Sequence, residues 1–509
     1  MFIKKVISKS KFLNGLQCLK YLWYSVNSKE SIPEPDETTQ YIFNQGHLVG
    51  QYAKKLFLDG IEVGYGGDFK NSLRKSRELL TKQKPLFEAG FSYRNPDANF
   101  PDVSLYARAD ILNPAGNGQW DIIEVKSSTS VKEINIGDIA FQKYCYEGAG
   151  LKIKKCYLMY ISNQYIREGD IEPAKLFAKS DITEEVEEFT VGIEEKIKEM
   201  FDAIFSERYP DIKVGRQCDS PYACPLKDEC WSDMPENNVF NLYNGKIKAS
   251  ELFSRGIIRL KDIPGGFNLD FKQKIQVESE RTKKPVIDKN NISIFLKKLQ
   301  FPLYFLDFET FSTAIPFYNG TCPYQRIPFQ FSLHLLDSLN GTPRHFSFLA
   351  DGKGDPRKDL LEYLKDNIRD SGSIVVYYKS FEKSLLKELA ESFNEYSDWI
   401  SSIILRIVDL YEPFGRFYYY NYKQKGSASI KSVLPAIADI SYEGLDIADG
   451  QSASISFLSI THGNFSDSGT VYSPQEVARV RQSLEKYCKL DTEGLIYILR
   501  KLKNIVGDN

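Results

Sequence analysis

The sequence predicts an α/β chain built from two large domains. Three observations point there. Residues 86–125 have the texture of short strands broken by turns, with helical segments on either side. From Leu303 onward, apolar strands alternate with helices. A helical stretch over 236–300 links the two regions. At roughly 100–200 residues per domain, a chain of this size holds two large domains or about three smaller ones.

Taken in order, residues 40–82 read as helical, with Tyr41, Phe43, Leu48, Tyr52 and Leu56 near helical spacing. Asn113-Pro114 and Gly116-Asn117-Gly118 punctuate the strand region that follows. Ile139–Tyr146 is helix-like, Cys156–Ile161 an apolar strand, and Glu184–Phe205 strongly helical. Leu252–Gly266 has two readings: a helix-hairpin-helix element whose turn holds a phosphate on backbone N–H groups, or an ordinary helical connector. In the second half, Tyr304–Phe308, Phe329–Leu335, Ser373–Tyr378 and Arg406–Leu410 read as strands, and Leu360–Ile368 and Leu484–Leu499 as helices.

Composition narrows the class. The chain is 42% hydrophobic and 26% charged, and its 33 Phe and 31 Tyr supply material for sizeable cores. A net charge of −2 shows no global basic field, although acidic metal sites offset basic clefts in such a count. The N-terminus is basic without a signal peptide's apolar run, and no stretch of about 18 apolar residues occurs elsewhere. The expectation is a soluble, cytoplasmic protein without a membrane partner. Eight cysteines in 509 residues do not make a disulfide scaffold. Cys145, Cys156, Cys322 and Cys488 stand alone, Cys218, Cys224 and Cys230 crowd together, and Cys18 lies far upstream.

The first chemical constellation is Asp110, then Glu124-Val125-Lys126. Residues two apart on a strand share a face, so Glu124 and Lys126 emerge together while Val125 faces the other layer. Asp110, on the preceding strand of a hairpin, reaches the same place. Two carboxylates and an ammonium are the parts needed to hold Mg²⁺ and assist an attacking water. A salt-bridged pair on an exposed hairpin is the plainer reading of the motif alone. Gln142 and Tyr146, four apart on the next predicted helix, also share a face.

The second constellation is an apolar strand tipped by Asp307 and Glu309, again two apart, where open α/β sheets place their sites. Tyr487 and Asp491, four apart, share a face of a strong helix. Glu382 follows a strand and loop, and Asp409 ends another strand. Four thiols, Cys18, Cys218, Cys224 and Cys230, suit a [4Fe–4S] cluster or a structural Zn²⁺; unligated core cysteines are the third reading.

These motifs carry a resemblance. Asp110, Glu124-x-Lys126 and Gln142-x3-Tyr146 occur in the order found in RecB-like PD-(D/E)XK nucleases, which implies a restriction-endonuclease-like domain over 1–235. Glu88 sits where such enzymes often have another acid. His47 departs from the pattern, being adjacent to Gly46 where the family's metal-binding His lies four residues after a Gly; a structural or phosphate-facing role is the alternative. The segments around Cys18 and Cys218 resemble the two ends of CRISPR-associated and AddB-type nucleases, implying an iron–sulfur cluster, with a wider gap between Cys218 and Cys224 than in the family.

Asp307-x-Glu309-Thr310, Glu382 and Tyr487-x3-Asp491 resemble the three motifs of DEDD exonucleases of the tyrosine subclass. They imply a DnaQ-like, RNase H-like mixed-sheet domain over 301–509. Glu382 stands where the family has Asp, and Asp409 is the alternative acid. Lys425–Pro435 resembles the segment preceding the third motif. Joined in one chain, the two halves resemble an uncharacterised bacterial family with a domain of unknown function in its C-terminal half, whose most characteristic stretch matches residues 310–334. The Tyr and Phe residues of that stretch are suited either to stacking bases or, more simply, to core packing. The resemblance implies a nuclease using Mg²⁺ or Mn²⁺, with DNA favoured over RNA and protein partners left open. The alternative is a nucleic-acid-binding or scaffolding protein in which one or both sites are inactive.

Overall fold

Along the strand Val103–Gly116, Val103, Leu105, Ala107 and Ala109 are fully buried, while Tyr106, Arg108 and Asp110 on the other parity are only partly covered. That period of two is the signature of a pleated strand laid against a core. A computed structural model describes residues 5–64, 69–94, 103–463 and 472–507. It divides into two units: residues 1–232 with 313–325, and residues 233–312 with 326–509.

The first unit is built on a seven-stranded mixed sheet. Its strands are β1 (Lys5–Ser8), β2 (Ile61–Glu62), β3 (Leu86–Arg94), β4 (Val103–Gly116), β5 (Gln119–Lys126), β6 (Lys152–Ile161) and β7 (Phe177–Asp181), in the order β2-β3-β4-β5-β6-β7, with β1 paired to β4. β3, β4 and β5 form an antiparallel meander; β5 and β6 are parallel, joined through the helix Glu133–Gly148. That helix packs Ile139, Ala140, Phe141, Cys145 and Tyr146 on one face of the sheet, in the same core as Trp120 and Ile122. Val125 falls instead in clusters with Val49 and Ala53 of the helix Glu37–Lys54.

The uninterrupted helix expected over 40–82 is broken. Helix Glu37–Lys54 is followed by β2 and then by helix Phe69–Leu79. Gly60 lies in the break, where an added Cβ would stand 2.0 Å from the ring of Phe87, so close packing of that ring needs glycine. Glu184–Phe205 is likewise two helices, Thr183–Thr190 and Ile193–Phe205, parted by Gly192 at φ 108°.

The second unit contains a short ribbon of β8 (Val286–Ile287) with β14 (Tyr419–Tyr420) and a five-stranded sheet. That sheet comprises β9 (Leu303–Phe311), β10 (Ile327–Leu336), β11 (Arg344–Leu349), β12 (Ser373–Val376) and β13 (Ile407–Asp409), ordered β11-β10-β9-β12-β13. The first three strands in sequence are antiparallel neighbours, while β12 and β13 are parallel to β9. The helix Pro474–Val506 packs against β9 and β10 and begins with a capping box of Ser473 and Glu476.

Residues 236–300 belong to the second unit, whose helices Lys246–Ser254, Phe271–Thr282 and Lys289–Leu296 they supply. Within 252–266, a short 3-10 turn, Leu260–Asp262, stands where a helix-hairpin-helix element needs its second helix. Residues 313–325, expected in the second domain, pack with the first unit: Ala314 and Ile315 are buried with Val49, Ile161, Tyr165 and Leu176. Arg167 Nη1 donates to the carbonyls of Pro316 and Phe317, and Tyr324 Oη to that of Ser127. Backbone capture and apolar burial thus account for much of this stretch. Among the described residues, no helix is long and apolar enough to cross a membrane.

Candidate active sites and metal centre

At the first site, β5 sends Glu124 and Lys126 to the same side, and the helix Glu133–Gly148 brings Gln142 over them. Lys126 Nζ lies 2.7 Å from Glu124 Oε1 and 2.8 Å from Asp138 Oδ2. Gln142 Nε2 donates to Glu124 Oε2 at 2.8 Å and to Asp138 Oδ1 at 2.9 Å. Asp110 Oδ2 accepts the Val125 N–H at 2.7 Å. The Tyr146 hydroxyl accepts the Ala109 N–H at 2.8 Å and donates to the Ala89 carbonyl, so this residue ties β4, the strand of Asp110, to β3.

Two members escaped the sequence reading. Asp138 lies four residues before Gln142, and the stripe Asp138, Gln142, Tyr146 was its available signal. Lys9 opens the helix Lys9–Gln17, and its Nζ lies 2.7 Å from Glu124 Oε1 and 3.7 Å from Asp138 Oδ1. No local pattern marks it, because its partners are more than a hundred residues away.

Burial alone would raise Glu124, but Lys126 and Lys9 outweigh it and hold the carboxyl well below its ordinary range. Asp110 is pushed up to about 7, first by burial and then by the Glu124 charge. Glu88 stands beside the cluster, pairing with Arg108 Nε at 2.8 Å and Lys54 at 3.7 Å, at a positive φ of 59°. His47 is exposed on the helix Glu37–Lys54.

At the second site, Asp307 and Glu309 project from β9, opposite Ser332 and Gln330 of β10. Ligand atoms of Asp307, Glu309 and Cys488 lie within 4.8 Å of one another. Burial is the first cause raising the Asp307 and Glu309 carboxyls, followed by the charge of Asp491; Glu382 adds to both. Asp491 is pushed up to about 6 by burial, moderated by a 2.5 Å hydrogen bond from Tyr442 Oη and by Lys431. Burial pushes Glu382 up to about 8, and its Oε2 is buried without a hydrogen-bond partner. Tyr487 is also raised, by burial and then by the Asp491 charge. Asp409 accepts backbone N–H groups of Tyr378, Lys379 and Tyr411 at 2.9–3.1 Å, holding the start of the helix that carries Glu382, and its charge adds to burial in raising Glu382.

Sequence reading missed Tyr442, Lys431 and the thiol of Cys488. Tyr487, Cys488 and Asp491 share one helix within four residues, so the thiol was findable; Tyr442 arrives from a loop and carried no signal. Among the described residues, no ion pair involves Asp307, Glu309, Glu382 or Asp491. Glu309, Glu382 and Asp491 are buried and Asp307 is half-buried, and such a gathering of carboxylates is costly unless protonated or joined by a cation; oxygen donors of this kind suit Mg²⁺ or Mn²⁺.

Cys18, Cys218, Cys224 and Cys230 line one small cavity together with Lys20 and Lys227. Gln17 Nε2 donates to the carbonyls of Gln217 and Tyr222, both at 2.8 Å, tying the N-terminal helices to the cysteine segment. Burial pushes the Cys18 thiol up and Cys224 up to about 11.

The chain thus holds two carboxylate centres and one thiol centre on two α/β units. Residues 304–429 match the family model described as Domain of unknown function (DUF2779), a span containing Asp307, Glu309, Glu382 and Asp409. The chain is 29% identical to an uncharacterized protein of Mycoplasma pneumoniae, a homolog of MG366, over 44% of this chain and 35% of that one. It is 30% identical to uncharacterized MG366 of Mycoplasma genitalium, over 42% and 33%. An uncharacterized protein of Ureaplasma parvum, UU173, is 33% identical over 29% of this chain and 22% of its own. The chain therefore spans about a third or less of the length of these curated relatives. The solved structure of SSO0001 is 14% identical, covers 46% of this chain and 90% of that one, and superposes with a TM-score of 0.26, too low to establish a shared fold.

Proposed function

We propose that the chain is a metal-dependent nuclease that hydrolyses phosphodiester bonds, acting on DNA in preference to RNA. In this reading the first unit is a RecB-like PD-(D/E)XK domain and the second a DnaQ-like, RNase H-like domain removing nucleotides from 3′ ends. The observation that carries the proposal is the gathering of Asp307, Glu309, Glu382 and Asp491 without an ion-pair partner among the described residues. Further support comes from the strand order β11-β10-β9-β12-β13, which is the order 3-2-1-4-5 of RNase H-like sheets. The hairpin, Glu124-x-Lys126 strand and Gln142 helix likewise support the first assignment.

Divalent ions, when bound, supply Lewis acidity toward the attacking and leaving oxygens. Asp307, Glu309, Glu382 and Asp491 would hold them at the second site, and Asp110 and Glu124 at the first. Tyr487 stands beside the second cluster to orient a water, and Tyr442 fixes Asp491 through its hydrogen bond. Lys126 offsets charge developing on a phosphate. Four thiols lining one cavity fit a structural metal group. Zinc would draw its sulfurs to about 3.8 Å of one another, given Zn–S bonds of about 2.3 Å in a tetrahedron. Iron–sulfur is the reading the resemblance favours, with structural zinc the alternative for the same four thiols.

The test is cleavage of end-labelled single- and double-stranded DNA and RNA with Mg²⁺ or Mn²⁺, comparing wild type, Lys126→Ala, Asp307→Ala and the double variant. Loss of one activity in one single variant assigns it to that unit, and the labelled end gives its polarity. Wild type and double variant equally inert, with folding intact, would overturn the nuclease reading in favour of a binding protein.

A further inference from the structure

The first site carries its own cations. Lys9 and Lys126 both reach Glu124 Oε1 at 2.7 Å, and both also face Asp138. Gln142 covers Glu124 Oε2 and Asp138 Oδ1. Every carboxylate oxygen of Glu124 and Asp138 therefore already meets a donor. Asp110 Oδ2 takes the Val125 N–H, and Asp110 Oδ1 accepts no hydrogen bond among the described residues.

Lys9 is an unusual choice for ordinary packing. It is the first residue of its helix, where the macrodipole disfavours a positive charge. The acids across the site compensate for that placement. Three carboxylates face two ammonium groups, leaving one negative charge in excess when all are ionised. At the second site four carboxylates gather, and Lys431 is the cation acting on three of them.

We propose that the Lys9 ammonium is a built-in cation of the first site, occupying the acceptor positions on Glu124 and Asp138 that a second metal ion would use, so that this site takes one divalent ion. The inference rests on the nuclease reading for the identity of the ion-binding acids and adds the number of ions and the role of Lys9. Lys9 is a positioning residue: it sets the charge and the free lone pairs of Glu124 and Asp138. Asp110 Oδ1 and the remaining lone pair of Glu124 Oε2 are the acceptors left for an ion. A second would have to displace Lys9.

The test counts Mn²⁺ bound to the full chain by electron paramagnetic resonance and equilibrium dialysis, in an Asp307→Ala/Asp491→Ala background that silences the second site. One ion per chain is expected, and Glu124→Gln in the same background should abolish it. Lys9→Met should admit a second ion, with the hyperfine pattern of a coupled pair, and Lys9→Arg should restore a count of one. Two ions in the Lys9-intact background would overturn the inference, and this measurement does not depend on any Lys9 variant folding. A count that stays at one in folded Lys9→Met would overturn it as well. Mn²⁺ binding that is indifferent to Glu124→Gln would overturn the first-site reading itself, which separates the two failures.

Discussion

The two carboxylate centres solve the same electrostatic problem in opposite ways. At the first, Lys9 and Lys126 neutralise Glu124 and Asp138 from within the chain, and Glu124 is held well below its usual range. At the second, burial and the Asp491 charge raise Asp307 and Glu309, and among the described residues no ammonium pairs with them directly. The first is stable as folded; the second stores repulsion that a cation or a proton must relieve. Net charge does not distinguish these situations; the motifs hint at them only in that Lys126 stands two residues from Glu124, where Glu309 stands two from Asp307.

The largest effects should appear in activity. Asp307→Ala should lower removal of nucleotides from labelled 3′ ends by about 100-fold or more, and Lys126→Ala should do the same to the first activity alone, as loss of a group stabilising transition-state charge does elsewhere. Equal losses of both activities in either variant would mean that the centres do not work independently.

Stability in EDTA should separate the sites by sign. Glu124→Gln leaves the half-buried Lys9 and Lys126 with too little compensation and should destabilise by about 1–2 kcal/mol in urea unfolding. Asp307→Asn removes one of several repelling carboxyls and should stabilise by about 1 kcal/mol. A loss of stability in both variants would remove the contrast.

Divalent ion should then reverse the order at the second site. Mn²⁺ at about 100 times its dissociation constant should add about 2.7 kcal/mol to the wild type, and Asp307→Asn should lose most of that gain. Differential scanning calorimetry with and without Mn²⁺ reads it directly.

A smaller effect concerns the core behind the second site. His334, hydrogen-bonded to Thr492 at 2.8 Å, is pushed down to about 3 by burial and then by His345 and Lys489. The folded form is the neutral one, whereas an unfolded chain takes up the proton near pH 6.5. The contribution is therefore intact above about pH 6.5 and is lost as pH falls toward 3. By pH 5 it should amount to about 1–2 kcal/mol. His334→Gln should flatten the fall in melting temperature between pH 7 and 5; an unchanged slope would assign it to other groups.

Much of each centre was legible because the relevant periodicities are local. Period two placed Glu124 with Lys126 and Asp307 with Glu309, and helical spacing placed Tyr487 with Asp491. The same logic set Gln142 over Glu124, but it did not tell that Tyr146 would spend its hydroxyl on the backbone of β3 and β4. Nor did it show Asp409 holding a helix start while its charge acts on Glu382.

The sequence by itself determined which strands and helices carry acids and on which face, because backbone geometry fixes that within a few residues. Only the tertiary structure decided the charge state of each centre. Lys9 meets Glu124 across 115 positions of chain, and Tyr442 meets Asp491 across 49. It also decided that residues 313–325 pack with the first unit although they leave the strand that bears Asp307 and Glu309. Such contacts are selected by burial and charge compensation over the whole fold, and no spacing rule along the chain contains them.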